Sequence, residues 1–176
     1  MNAPGHQMFG FTWGILTLTL FNASGVLPAD FAETLLFFAL VLTGALIPDI
    51  DKYNSRIGRK FRWLSVPVQL VFGHRKFTHS LLFALLAYLL VSWAAEQYRF
   101  TQLYAVGLTA GIMSHIAGDF LTKDGVPLFY PFVQGRLRFI ITFRTGSSAE
   151  RVLVVLLAAL NVYLLIKYAG NGAAGL

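Results

Sequence analysis

The 176-residue chain is 56% hydrophobic and only 12% charged, with sixteen Phe and a mean hydropathy of +0.64. A soluble domain carries about a quarter charged residues, so the composition excludes an ordinary water-soluble globule and points to lipid as the solvent of one domain covering 1–176. With no cysteine, a disulfide framework and a thiolate metal site are both excluded, and the net charge of +6 lies between apolar runs, where membrane orientation explains it more simply than nucleic acid does.

A spanning helix needs about 20 mostly apolar residues. Met8 to Leu27 fits, with Pro28 marking a tight turn, and the absence of a basic stretch within Met1 to Gly10 predicts no cleavable signal peptide. Phe31 to Pro48 is the second span, with Asp30 as N-cap and Glu33 in the first turn, where the helix dipole favours an acid. Leu64 to Gly73 is too short to span and contains Pro67. Ser80 to Ala95 is the third span, anchored at the interface by Trp93 and Tyr98. Gln102 to Leu121 is the fourth, and it differs from the others in carrying Gly107, Thr109, Gly111, Ser114, His115, Gly118 and Asp119. Small residues allow close helix approach in lipid and ionisable ones must face the bundle interior, so this is the expected central helix. Val126 to Ile141, broken by Pro127 and Pro131, does not span, and Val152 to Tyr168 is the fifth span. The pattern predicts an all-α, polytopic membrane helical bundle of about five transmembrane helices, with two interfacial or re-entrant segments.

Lysine and arginine set the orientation. Asp49 to Thr78 holds seven of them and Thr122 to Arg151 five, leaving only Arg99 and Lys167 on the opposite side. Basic loops stay cytoplasmic, which predicts a cytoplasmic N-terminus and an external C-terminus. That topology, drawn from Lys and Arg alone, puts all four histidines on the cytoplasmic face with Asp49, Asp51, Asp119, Asp124 and Glu150.

His115 and Asp119 are four apart on a helix, so they share a face and can share a metal ion. Imidazole suits Zn, Fe or Mn and carboxylate suits Mg or Mn. In the run from His74 to Ser80 the two histidines, five apart, diverge on a single helix. His74 then lies on a loop and His79 in the first turn, with Thr78 as N-cap; the run reads equally as a ligand pair or as a capped, positively charged helix start. Asp49 and Asp51 end the second span, where acids oppose the dipole unless a cation is near. Glu150 reads first as part of a helix cap with Ser147 or Ser148 and second as a ligand. His6 is a ligand only if its segment folds inward. Arg75, Arg136, Arg138 and Arg144 serve orientation, and one or two of them can clamp a phosphate.

Leu46-Ile47-Pro48-Asp49-Ile50-Asp51, His74-Arg75, Thr78-His79-Ser80 and the stretch from Gly111 to Asp119 running on to Thr122, Gly125, Val126 and Pro127 resemble the bacterial family of LexA-regulated, inner-membrane metal-dependent hydrolases. The resemblance runs from His6 to Glu150. It departs at Lys76, where that family often has Gly, and at Ala117-Gly118. The order of an N-terminal His, a Pro-Asp, a pair of histidines five apart and an His-x-x-x-Asp is also similar to the zinc-dependent phospholipases C, more weakly. These likenesses imply a hydrolase of a lipid-linked phosphoester in the bacterial inner membrane. One or two divalent ions, Zn or Mn, would be held among His6, Asp49, Asp51, His74, His79, His115 and Asp119, with Asp51, His74, Arg75 and Glu150 in catalytic roles. The alternatives are a non-enzymatic metal-binding membrane protein or transporter, and a metal that only staples helix ends. Uncharged centres in spans one, three and five disfavour a transport path, and eight candidate ligands exceed a closed structural site.

Overall fold

A computed structural model describes residues 1–22, 28 and 30–173, with 168–173 described by backbone alone; the expected end of the first span, 23–27, lies outside the described residues. In chain order the helices are α1 (Ala3–Asn22), α2 (Phe31–Gly44), α3 (Arg56–Lys60), α4 (Arg62–Phe72), α5 (Leu81–Tyr98), α6 (Leu103–Phe120) and α7 (Ser148–Ala173). Two 3-10 turns, Ile47–Asp51 and Phe77–His79, lead out of α2 and into α5. The described residues contain no strand; isolated bridges pair Thr122 with Phe143 and Val126 with Leu137 in the loop after α6.

The result is a helical membrane bundle. Phe31–Asp51, Leu81–Tyr98 and Ser148–Lys167 are long and apolar enough to cross a membrane. α1 and α6, also expected as spans, have 20 and 18 residues and pack among these three, but their glycine and polar content makes them less apolar. α6 is the centre, packed by α1, α2 and α5. It buries ten of its 18 residues, whereas α5 buries only Ala84 and Ala95 and turns Leu85, Leu89 and Leu90 outward to lipid.

What brings α2 onto α6 is glycine. A Cβ on Gly44 would sit 2.2 Å from the Leu108 carbonyl oxygen, and one on Gly111 would sit 2.1 Å from that of Val41. The backbones therefore touch, as small residues permit in lipid. This contact hangs the Ile47–Asp51 turn over the polar end of α6. Asp30 caps α2 by accepting from the Glu33 amide at 2.8 Å, as expected. At α5 the cap is Ser80, whose hydroxyl accepts from the Phe83 amide at 3.2 Å, and not Thr78. His79 consequently stands in the 3-10 turn before α5 rather than in its first helical turn.

The two short apolar stretches take different forms. Leu64 to Gly73 falls in α4, a surface helix that accommodates Pro67 and exposes Trp63, Leu70 and Val71. Val126 to Ile141 is an irregular loop exposing Phe132, Ile140 and Ile141. Both fit an interfacial position, with apolar side chains offered to lipid beside basic ones.

Overpacking the α2–α6 contact is predicted to destabilise by about 1–3 kcal/mol. Gly111→Val should lower the thermal unfolding midpoint in detergent, while Gly135→Ala, whose Cβ would meet only Val133 at 3.8 Å, should leave it unchanged.

Candidate metal centre

Asp51 organises the site. Fully buried at the end of the turn beyond α2, it sits among four donors. His74 Nδ1 lies 2.8 Å from Oδ1. At Oδ2 stand the Arg75 amide at 2.8 Å, the Thr78 hydroxyl at 2.5 Å and His79 Nδ1 at 3.3 Å. To aim its amide at Asp51 the chain holds Arg75 at φ 55°, a region that costs a non-glycine residue about 1–3 kcal/mol and persists where surrounding contacts over-determine it.

These contacts fix the protons on two histidines. The single hydroxyl proton of Thr78 goes to Asp51, so at its 3.0 Å contact with His79 Nδ1 the ring N–H donates. His115 Nδ1 lies 2.8 Å from the Ala45 carbonyl oxygen, which can only accept. Both rings therefore protonate Nδ1, which makes Nε2 the lone-pair nitrogen of each neutral ring. Those two Nε2 atoms face each other at 3.2 Å. Two lone pairs at that distance repel unless a cation, metal or proton, lies between them. A carboxylate or carbonyl on the far nitrogen is how metal-binding histidines are generally oriented.

A third donor completes the geometry. Asp119 Oδ2 is 3.6 Å from His79 Nε2 and 3.8 Å from His115 Nε2. The centre of the triangle defined by these three atoms lies about 2 Å from each of them, the length of a zinc–nitrogen or zinc–oxygen bond. His6, folded inward at the start of α1, stacks on His115 with ring centres 3.7 Å apart and planes within 6°. Its ring is fully buried and neither nitrogen has a hydrogen bond, although Nε2 comes within 3.3 Å of Asp119 Oδ1. Buried polar atoms rarely lack a partner, and a cation would supply one. The donor set thus fits a divalent ion.

Three overlapping trios have donor atoms within 4.8 Å of one another: His79, His115 and Asp119; His6, Asp49 and His115; Asp49, Asp51 and His79. Asp49 is the one half-buried member among buried ones and marks the open side. His74 and Glu150 belong to none of the trios. His74, its side chain 33% exposed, bonds Asp51 from the rim. Glu150 is fully buried, but its oxygens take the Asn2 amide at 2.6 Å and the Gly146 amide at 2.5 Å. It ties the start of α1, and with it His6, to the turn before α7. The Ser147 cap expected there is present, accepting from the Glu150 amide at 3.4 Å. Arg75 pairs with Asp119 Oδ2 at 2.8 Å and Asp124 at 3.0 Å, while Met1's amino group meets Asp119 Oδ1. Of the other arginines, the exposed Arg138 donates to the Lys123 carbonyl oxygen at 3.4 Å.

The YdjM inner membrane protein family matches residues 1–174. The chain belongs to that family. It is 34% identical over 169 residues to the inner membrane protein YdjM of Escherichia coli (strain K12), an alignment covering 93% of this chain and 83% of the relative. The YdjM of Shigella flexneri gives the same figures. Over 131 residues the chain is 39% identical to the uncharacterized protein YvsG of Bacillus subtilis (strain 168), covering 74% of this chain and 79% of that one. No solved structure matches. YdjM membership and the apolar helices together make this an inner-membrane protein.

Of the seven ligands expected from sequence, the fold gathers His6, Asp49, Asp51, His79, His115 and Asp119 into the trios and leaves His74 outside them. Sequence reasoning passed over Thr78 as a proton-fixing group, the Ala45 carbonyl and Asp124 as a partner of Arg75. The i, i+4 pair on α6 carried its own signal; a backbone carbonyl carries none. Elemental analysis of purified protein is predicted to find Zn or Mn at one or two ions per chain, lost in His115→Ala and His79→Ala. Asp51→Asn, which keeps the shape but not the four-donor acceptor, should weaken metal binding by about 10–100-fold.

Proposed function

We propose that this protein is a membrane-embedded metal-dependent hydrolase of lipid-linked phosphoesters, with its centre at the cytoplasmic face. The observation that carries this reading is the facing pair of Nε2 atoms, His79 and His115, closed into a triangle by Asp119. His79, His115, Asp119, His6 and Asp49 would hold one or two ions. A bound divalent ion lowers the pKa of a coordinated water towards about 7 and polarises the scissile group.

The remaining side chains have distinct tasks. His74, its Nδ1 held by Asp51, presents its other nitrogen at the exposed rim, where it can take up and return a proton. Arg75 Nε is buried without a partner and is free to donate to a phosphate oxygen. Asp51 acts through His79 and His74, and Glu150 through the start of α1; both are positioning residues. Burial of most of the cluster excludes bulk water, and half-buried Asp49 leaves one side open to an incoming headgroup. Exposed Phe132, Ile140 and Ile141 on the loop after α6 support an amphiphilic substrate reaching the centre from the leaflet.

Two measurements test the reading. Protein in nanodiscs should release phosphate from phosphatidic acid or an isoprenyl phosphate, lose this activity to a chelator and regain it with Zn or Mn. His74→Ala should lower kcat by about a hundredfold or more, within the range of general acid–base catalysis, while retaining metal. Metal-loaded protein with no turnover of any phosphate ester would contradict the hydrolase and leave a metal-binding membrane protein. The cysteine-free chain also suits orientation by single-cysteine labelling. Arg59→Cys and Lys123→Cys should react with an impermeant maleimide only in inside-out vesicles, and Arg99→Cys only in right-side-out ones.

A further inference from the structure

Beside the metal centre runs a groove that the centre itself does not use. Its apolar part, about 530 Å³, lies between α2 and α7 with α1 as floor, and is lined by Met8, Phe11, Leu42, Ala158, Val162 and Leu165. A second part, about 400 Å³, is lined by Thr43, Leu46, Arg56 and Lys60 together with α3 neighbours. The two share Gln7 and Leu42 as lining residues, so an apolar body and a cationic mouth adjoin. Among the described residues, no carboxylate lines either part.

We propose that this groove binds one membrane lipid with an anionic phosphate headgroup, its chain against α1 and α7 and its phosphate at Arg56 and Lys60. Two features select that occupant. The walls of the apolar part belong to α1 and to the spans built on α2 and α7, so the groove is at acyl-chain depth. Arg56 and Lys60 stand at the headgroup end of α2, where basic side chains attract anionic lipid, and Arg56 is turned towards the channel by its 3.2 Å bond to Gln7.

The groove also adjoins the site along the chain. Gln7 follows His6 directly, and Leu46 precedes the Ile47–Asp51 turn that carries Asp49. A phosphate held at the mouth is thus bound by segments continuous with those that carry the metal cluster. The substrate class that follows, resting on the hydrolase reading, is a phosphate monoester or diester on a long apolar chain, delivered laterally from the cytoplasmic leaflet rather than from water.

Native mass spectrometry of the detergent-solubilised full chain tests this by counting bound dioleoyl phosphatidic acid against dioleoyl phosphatidylcholine. One phosphatidic acid should bind at least tenfold more tightly than phosphatidylcholine. The double variant Arg56→Gln/Lys60→Gln should lose that preference, and Ala158→Trp should weaken both lipids by filling the apolar part. Val162→Phe serves the same purpose if Ala158→Trp does not fold by circular dichroism. Metal content should stay at wild-type levels in these variants. Equal binding of the two lipids to the wild type, unchanged phosphatidic acid binding in the variants, or displacement of the lipid by inorganic phosphate would each overturn the groove. A wild type that binds phosphatidic acid selectively but turns over no phosphate ester would leave the groove standing and remove the hydrolase instead.

Discussion

The contact between His79 and His115 governs the arrangement around it. Two imidazole nitrogens at 3.2 Å, each bearing a lone pair, are stable only with a positive centre between them. Thr78 and Asp51 hold the proton of His79 on its far side, and the Ala45 carbonyl does the same for His115. None of these groups arrives by chance. Ala45 is within reach because Gly44 and Gly111 let the backbones of α2 and α6 touch, and Asp51 because a 3-10 turn carries the chain from that contact back over α6. Close packing in the apolar layer and tautomer selection in the polar layer are consequences of the same two glycines.

Burying so many ionisable groups at the end of a membrane bundle is unfavourable unless they are paired or coordinate metal. Here Asp51 spends its oxygens on His74, Arg75, Thr78 and His79 and is satisfied by protein alone. Asp119 is met by Arg75 and the amino group of Met1, yet one of its oxygens still closes the histidine triangle. His6 is left with both nitrogens unbonded against the face of His115. The polar cluster is therefore divided into an outer layer that is complete as it stands and an inner layer whose atoms converge on a point where a cation would be held. Glu150 lies outside both and stabilises the centre at one remove, by pinning the segment that carries His6.

Much of this was legible in the residues. Hydropathy located the long helices, and the composition of α6 identified it as the central one. Lys and Arg placement brought the histidines to one face, and the i, i+4 spacing paired His115 with Asp119. What spacing could not supply was the division of labour. Asp49 and Asp51 are equivalent in sequence, and only the 3-10 turn buries Asp51 among the donors of His74, Arg75, Thr78 and His79 and leaves Asp49 half-buried beside the histidines. Thr78 reads as a helix cap because hydroxyls usually are; Ser80, two residues on, takes the cap and frees Thr78 for Asp51. The channel beside α1 was invisible for a different reason, since a groove is defined by where helices fail to meet, and no residue pattern marks that.

A metal ion held by the Nε2 atoms of His79 and His115 is the central requirement of the site. X-ray absorption spectroscopy of the zinc-reconstituted protein in detergent reads this directly. The expected spectrum has one ion environment, or two, with nitrogen and oxygen donors at about 2.0–2.2 Å and the outer-shell scattering of at least two imidazole rings. A first shell of water oxygens alone, without imidazole scattering, would contradict it and leave a proton, rather than a metal, between His79 and His115.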